Sequence, residues 1–115
     1  MRVLFLGDIV ARSGRTVVSK ELPSLRRALK LDFVVANAEN AAHGFGITEK
    51  ICRELFEIGV DVITGGNHIW DKSEIIPYIA QEKRLLRPLN FPAETPGRGM
   101  GIYGDGSGRK IKVIN

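Results

Sequence analysis

Three short apolar runs, Val3-Leu4-Phe5-Leu6, Phe33-Val34-Val35-Ala36 and Val60-Asp61-Val62-Ile63, are separated by stretches whose apolar residues recur at helical spacing. That alternation predicts parallel strands joined by helices, a βαβαβ unit. Each run leads, within one to four residues, into a polar cluster: Gly7-Asp8, Asn37-Ala38-Glu39-Asn40, or Gly65-Gly66-Asn67-His68. In open α/β sheets ligands bind outside the carboxyl ends of the strands, so the three clusters are expected to form one composite polar site. Carboxylate and amide oxygens suit hard or borderline metal ions, and an imidazole adds a proton donor.

The chain has 115 residues, of which 43% are hydrophobic, enough for one core. Residues 1–115 therefore read as one domain or part of one. The apolar stretch after Met1-Arg2 is broken by Gly7-Asp8, too soon for a signal-peptide core, and no other run is long enough to span a bilayer. A cytoplasmic protein without a membrane partner is expected. The net charge of +4 comes from 17 Lys and Arg against 13 Asp and Glu, scattered as Arg26-Arg27, Arg84 with Arg87, and Arg109-Lys110 with Lys112. That pattern fits a solvated basic face or attraction for phosphate-bearing substrates, and charge alone does not choose between them. The single Cys52 cannot form an internal disulfide; beside Ile51 and Leu55 it reads as a half-buried thiol rather than a nucleophile.

Between the first two runs, Val18, Leu22, Leu25 and Leu29 share one helical face, with a break or restart expected at Pro23. Thr48 is a fitting N-cap ahead of Ile51, Leu55 and Ile58, and Gly59 is placed to stop that helix. Ser73 is the expected cap of a third helix through Ile75, Ile76 and Ile79, with Pro77 in its first turn. Past Leu85-Leu86, the prolines at 88, 92 and 96 and the glycines at 97, 99 and 101 predict a long surface loop. Gly101-Ile102-Tyr103 and Lys110-Ile111-Lys112-Val113-Ile114 flank a Gly-rich turn and predict an antiparallel hairpin.

Each site residue has a plain structural reading beside the chemical one. Asp8 suits a turn or a helix cap as well as a metal. Glu39 has only small or amide neighbours, so no apolar partner and no adjacent cation accounts for it, and a carboxylate there can bridge two cations. Asn37 and Asn40 are turn formers or neutral oxygen ligands. Gly65-Gly66 permits close backbone approach before Asn67 and His68 are presented, and His68 can protonate a departing alkoxide. His43, in the His43-Gly44-Phe45-Gly46 loop, reads as an incidental surface residue on a mobile segment. The pieces suggest two-metal chemistry, in which paired cations clamp a phosphate and activate a bridging water. Nothing matches G-x-G-x-x-G, a Walker loop, a CxxC pair or a G-x-S-x-G elbow.

Taken together, these residues resemble the calcineurin-like metallophosphoesterases and, within them, the YmdB-type phosphodiesterases. The resemblance runs the length of the chain, through Gly7-Asp8-Ile9-Val10 with Ser13-Gly14-Arg15, Asn37-Ala38-Glu39-Asn40, Gly44-Phe45-Gly46-Ile47-Thr48, and Thr64-Gly65-Gly66-Asn67-His68-Ile69-Trp70-Asp71. It implies an α/β fold, the N-terminal half of a four-layered α/β/β/α metallophosphoesterase sandwich. It also implies two divalent metal ions, iron or manganese, and hydrolysis of a small phosphodiester such as a 2′,3′-cyclic or 3′,5′-cyclic nucleotide. Carried over by position, Asp8 holds the first metal, Glu39 bridges both, Asn40 and Asn67 hold the second, and His68 is the proton donor.

Two departures stand out. Val10 occupies the place where the wider superfamily has a histidine, and the three further histidine ligands of the family's downstream half have no counterpart here, since only His43 and His68 exist. The isolated chain is therefore expected to be inactive and to self-associate as a homo-oligomer through unpaired edges and apolar faces. The rivals are a non-catalytic nucleotide- or metal-binding module that acts by joining another chain, and a nucleic-acid binder supported only by the basic pI, for which no specific binding is expected.

Overall fold

The computed structural model describes all 115 residues. Strands β1 (Val3–Asp8), β2 (Phe33–Asn37), β3 (Val62–Thr64) and β4 (Leu85–Leu86) form one parallel sheet in the order β1-β2-β3-β4. Helices α1 (Ala11–Ala28), α2 (Glu49–Glu57) and α3 (Ile75–Gln81) make the three crossovers. Strands β5 (Met100–Gly104) and β6 (Lys110–Ile114) then pair as the expected antiparallel hairpin.

Strand alternation sends successive side chains to opposite faces, and here both faces are covered. Val34, Ala36, Ile63 and Leu85 join Leu22 of α1, Ile51, Cys52 and Leu55 of α2, and Ile75 and Ile79 of α3 in the main core. Phe33, Val35, Val62 and Leu86 form a second cluster on the other face, covered by Tyr103, Ile111 and Val113 of the hairpin. The layers are thus helix, parallel sheet and hairpin, which is the α/β/β part of the expected α/β/β/α stack. A fourth, helical layer is not among these residues. The outward side of the hairpin carries Ile102 at 67% exposure and Ile114 at 57%, and edge strand β1 shows Phe5 at 63%.

Several local expectations hold. The Thr48 hydroxyl caps α2 by accepting from Ile51 N–H at 3.3 Å, and Gly59 stops the chain with φ +108°. Others need correction. Helix α1 passes through Pro23 without a break. A helix-interior proline costs ~3 kcal/mol, but the turns on either side are held by tertiary contacts. Leu22 is fully buried just before it, and Arg26 just after it pairs with Asp61 at 2.9 Å and donates to the Gly59 carbonyl. Of the predicted apolar face, Leu25 and Leu29 are exposed. Ser73 is not the cap of α3; Glu74 takes that position without a side-chain bond, and Ser73 contributes its carbonyl to Ile76 N–H at 3.2 Å. Leu85-Leu86, just ahead of the expected loop and assigned to no element, is the fourth strand.

The basic residues are also less uniformly solvated than their scatter suggests. Arg87 is buried, and its guanidinium donates to the carbonyls of Pro88, Pro92 and Thr95, organising the proline-rich loop from inside. Arg109 bridges Asp105 and Asp32, tying the hairpin turn to the chain before β2. Cys52 is fully rather than half buried; that burial pushes its thiol well above the ordinary range, so it stays protonated and is no nucleophile. No helix is long and apolar enough to cross a membrane.

Candidate functional site

The carboxyl ends of β1, β2 and β3 bring the three clusters to one edge of the sheet. On β1 the ladder slips at Gly7: Leu6 pairs with Ala36, but Asp8, not Gly7, pairs with Asn37. Such a bulge re-aims the following side chain. Asp8 caps nothing, since the N-cap of α1 is Val10 and has no side-chain bond. Instead Asp8 Oδ2 accepts from Asn40 Nδ2 at 2.7 Å, across the β1–β2 boundary. The pairing uses the amide nitrogen of Asn40 and one oxygen of Asp8, leaving the amide carbonyl and the second carboxylate oxygen for another partner.

Ala38, Ala41 and Ala42 are buried around Glu39 and fix the turn that presents it. Asn37 Oδ1 accepts from the Glu39 N–H at 3.3 Å, an Asx-type turn. The Glu39 carboxylate then reaches the 65–68 segment, where Oε2 accepts from His68 N–H at 3.1 Å. Gly66 makes this approach possible. A Cβ at 66 would lie 2.5 Å from Glu39 Oε1 and 2.6 Å from its Cδ, so any side chain there displaces the carboxylate.

His68 is joined by a partner that sequence reading did not assign. Two consecutive tight turns, Ile69 N–H to Gly66 carbonyl and Asp71 N–H to His68 carbonyl, bring His68 and Asp71 to one side. Ile69 is fully buried and Trp70 packs edge-on against Phe91 at 4.8 Å, so these two anchor the segment inward. His68 Nδ1 lies 2.6 Å from Asp71 Oδ2. The bond to Asp71 raises the His68 pKa above its ordinary value, more than partial desolvation lowers it, and the charges of Asp71, Glu39 and Asp8 act in the same upward direction.

We expect NMR titration of the metal-free chain to find His68 above the ordinary histidine range and to move it down in Asp71→Asn; an unmoved midpoint would contradict the dyad. The linkage has a definite sign. Because the folded pKa is raised, the stabilisation is complete below the unfolded value near 6.5 and is lost as pH rises through the folded pKa.

The structure therefore brings Asp8 together with Asn40, and Glu39 together with His68. Asn67 stands between Gly66 and His68, exposed and without a side-chain hydrogen bond. His43 is exposed, as expected, but its loop is a tight turn rather than a loose one. Ala42 N–H donates to the Gly46 carbonyl at 2.9 Å, and Lys72 Nζ sits 3.9 Å over the Phe45 ring.

Oxygen donors from Asp8, Glu39, Asn40 and Asn67 fit one flank of a hard-cation site. They do not fill one: no three His, Cys, Asp or Glu residues converge within the chain.

The chain is 48% identical over its full length to a 2′,3′-cyclic-nucleotide 2′-phosphodiesterase of Bacillus subtilis (strain 168), and covers 43% of that protein. Among solved structures, a hypothetical protein from Thermus thermophilus superposes with a TM-score of 0.91 at 40% identity, over 99% of this chain and 44% of that one. A novel phosphatase from Mycoplasma pneumoniae superposes with a TM-score of 0.88 at 34% identity, over 97% of this chain and 41% of that one. The chain thus spans less than half the length of these relatives. Residues 4–115 match the family described as YmdB-like protein, and the chain belongs to that family.

Proposed function

We propose that the complete protein containing this chain is a metal-dependent phosphodiesterase that hydrolyses cyclic nucleotides, 2′,3′-cyclic or 3′,5′-cyclic monophosphates. In this reading residues 1–115 are the N-terminal part of a single metallophosphoesterase domain. The observation that carries the proposal is the meeting of Glu39 with Gly66 and His68 at the sheet edge where Asp8 meets Asn40. The named activity of the Bacillus subtilis relative supports the same reaction class.

Asp8, Glu39, Asn40 and Asn67 would hold two divalent cations, iron or manganese, with Glu39 between them and further ligands supplied from outside this chain. When bound, the cations supply charge neutralisation for the phosphate and a water of lowered pKa. The chain's own residues do the rest. Glu39 is held taut by the His68 N–H, which fixes the carboxylate without neutralising it. Asp71 accepts from His68 Nδ1, leaving Nε2 as the free imidazole nitrogen. As water attacks phosphorus and the P–O ester bond breaks, His68 gives its proton to the departing sugar oxygen. In the chain by itself the bond to Asp71 raises the His68 pKa, which favours the protonated imidazole.

The isolated chain fits the other reading, a non-catalytic half that acts by association, because its ligand set is incomplete. The exposed apolar residues of β1 and the hairpin support self-association of that piece.

The test is hydrolysis of 2′,3′-cyclic AMP by the complete protein, its loss on chelation and its return with Mn²⁺ or Fe²⁺. Run beside it, Gly66→Ala should lose roughly 10²-fold in turnover, the scale of a ~1 Å misplacement of a catalytic group, because its methyl group displaces Glu39. Chelator-insensitive turnover, or a fully active Gly66→Ala enzyme, would refute the proposal.

A further inference from the structure

Strand β3 ends at Thr64, and the two glycines that follow carry the contacts on which the candidate site depends. Glu39 lies against Gly66, and the buried Ile69 lies against Gly65, where a Cβ would be 2.8 Å from Ile69 Cγ1 and 2.9 Å from its Cβ. Packing therefore excludes side chains at both positions. Adjacent glycines leave the backbone its greatest freedom of rotation, so the peptide between them has to be held by hydrogen bonds instead.

The parallel ladder supplies one of these bonds and fails to supply the next. Ile63 N–H donates to the Arg84 carbonyl at 2.7 Å and Gly65 N–H to the Leu86 carbonyl at 2.9 Å, so the register of β3 on β4 continues past the ends of both strands. In that register the donor due to meet the Gly65 carbonyl is the amide of residue 88. Residue 88 is proline and has no N–H. The bond comes from another layer. Asn115, directly after β6, donates from Nδ2 to the Gly65 carbonyl at 2.7 Å and to the Leu86 carbonyl at 3.0 Å. Both partners are acceptors, so the amide nitrogen and not Oδ1 has to face them. The backbone of Asn115 is fixed as well: its N–H donates to the Gly99 carbonyl at 2.9 Å, and its carbonyl accepts from Leu89 N–H at 2.8 Å. A side chain anchored in this way is a rigid clamp.

We infer that Asn115 is a positioning residue of the candidate site, an inference that rests on the phosphodiesterase reading and adds a residue of the hairpin layer to it. Asn115 makes no hydrogen bond to Asp8, Glu39, Asn40, Asn67 or His68. It acts through the Gly65–Gly66 peptide. Holding the Gly65 carbonyl sets the peptide plane, which keeps Gly66 clear of the Glu39 carboxylate and brings His68 N–H to Glu39 Oε2. Without Asn115 the Gly65 carbonyl has no donor, and a carbonyl left unpaired turns toward water. Gly66 and the amide of His68 turn with it.

The experiment measures kcat, KM and the Mn²⁺ concentration for half-maximal activity of the complete protein on bis(p-nitrophenyl) phosphate. In Asn115→Leu, which has a similar volume and no donor, kcat should fall about ten- to hundredfold, the scale of a small misplacement of catalytic groups. The Mn²⁺ requirement should rise with it while KM stays near the wild-type value, because Asn115 does not touch the substrate. Asn115→Ala, whose gap at this part-buried position admits water, gives the answer if Leu prevents folding. A residue that only closed the hairpin onto the sheet would lower the Tm and leave kcat and the Mn²⁺ requirement of the folded enzyme unchanged; that result overturns the inference. If the wild-type protein hydrolyses neither this ester nor 2′,3′-cyclic AMP, the phosphodiesterase reading fails separately, and the NMR signal of the His68 backbone amide in the metal-free protein decides the role of Asn115. An upfield move of that amide proton in the variant, as its bond to Glu39 is lost, supports the inference; an unmoved signal overturns it.

Discussion

Replacing Glu39 by Gln in the complete protein should lower turnover by on the order of 10³-fold or more and reduce bound metal, while leaving the fold intact. The amide preserves the shape of the side chain beside Gly66, where there is no room to spare, and retains an oxygen for the His68 N–H. What it removes is the charge that a bridging ligand contributes to two cations. Such charge stabilisation is worth several kcal/mol in the transition state, and each ~1.4 kcal/mol is a factor of ten in rate. Metal analysis beside circular dichroism separates the two possibilities. A variant with full metal content and near-wild-type turnover would remove Glu39 from the bridging role.

The second large effect is expected at His68. His68→Ala should slow hydrolysis of esters with poor leaving groups by roughly 10²–10⁴-fold, the range for a positioned proton transfer. An activated nitrophenyl ester should lose far less, because its leaving group departs without a proton. The geometry sharpens this expectation. Asp71 holds Nδ1 at 2.6 Å, so Nε2 is the nitrogen left to act, and Asp71 lies in the same tight turn as the acid it orients. Equal losses on both kinds of ester would assign His68 to structure or metal binding instead.

The placement of the candidate site was legible in the sequence where chemistry and strand position coincide. Asp8, Glu39, Asn40, Asn67 and His68 each follow an apolar run, and parallel β1, β2 and β3 carry all five to one edge. Their mutual contacts were not legible. That Asp8 meets Asn40 depends on a one-residue slip at Gly7, and period-two alternation cannot show a slip in a strand so short. Gly66 read as a point of access, but only its contact with Glu39 gives it a specific function. Asp71 was missed as a partner of His68 because their pairing requires two successive turns, and nothing in the residues between them announces those turns.

The fold divides in the same way. The unbroken apolar run of β2, the alternation in the hairpin, and the Thr48 cap with Gly59 as stop carry local signals strong enough to read directly. Pro23 misled because its local preference for a break is outweighed by the burial of Leu22 and the Arg26–Asp61 pair, both long-range contacts. Strand β4 escaped notice because two leucines are too few to show any period, and its pairing with β3 is made by the sheet rather than by its own sequence. Arg87 looked like surface charge, yet the carbonyls that satisfy it belong to the loop it organises.

In the proposed reading this chain supplies one flank of a two-cation site, and the rest of the protein supplies the remaining ligands. Turnover of bis(p-nitrophenyl) phosphate in Mn²⁺ tests it most directly, measured on the 115-residue chain alone and again after the rest of the protein is added as a separate polypeptide. No turnover by the chain alone, and recovery on mixing that Glu39→Gln abolishes, are the expected results. Robust metal-dependent turnover by the monomeric chain on its own would contradict it.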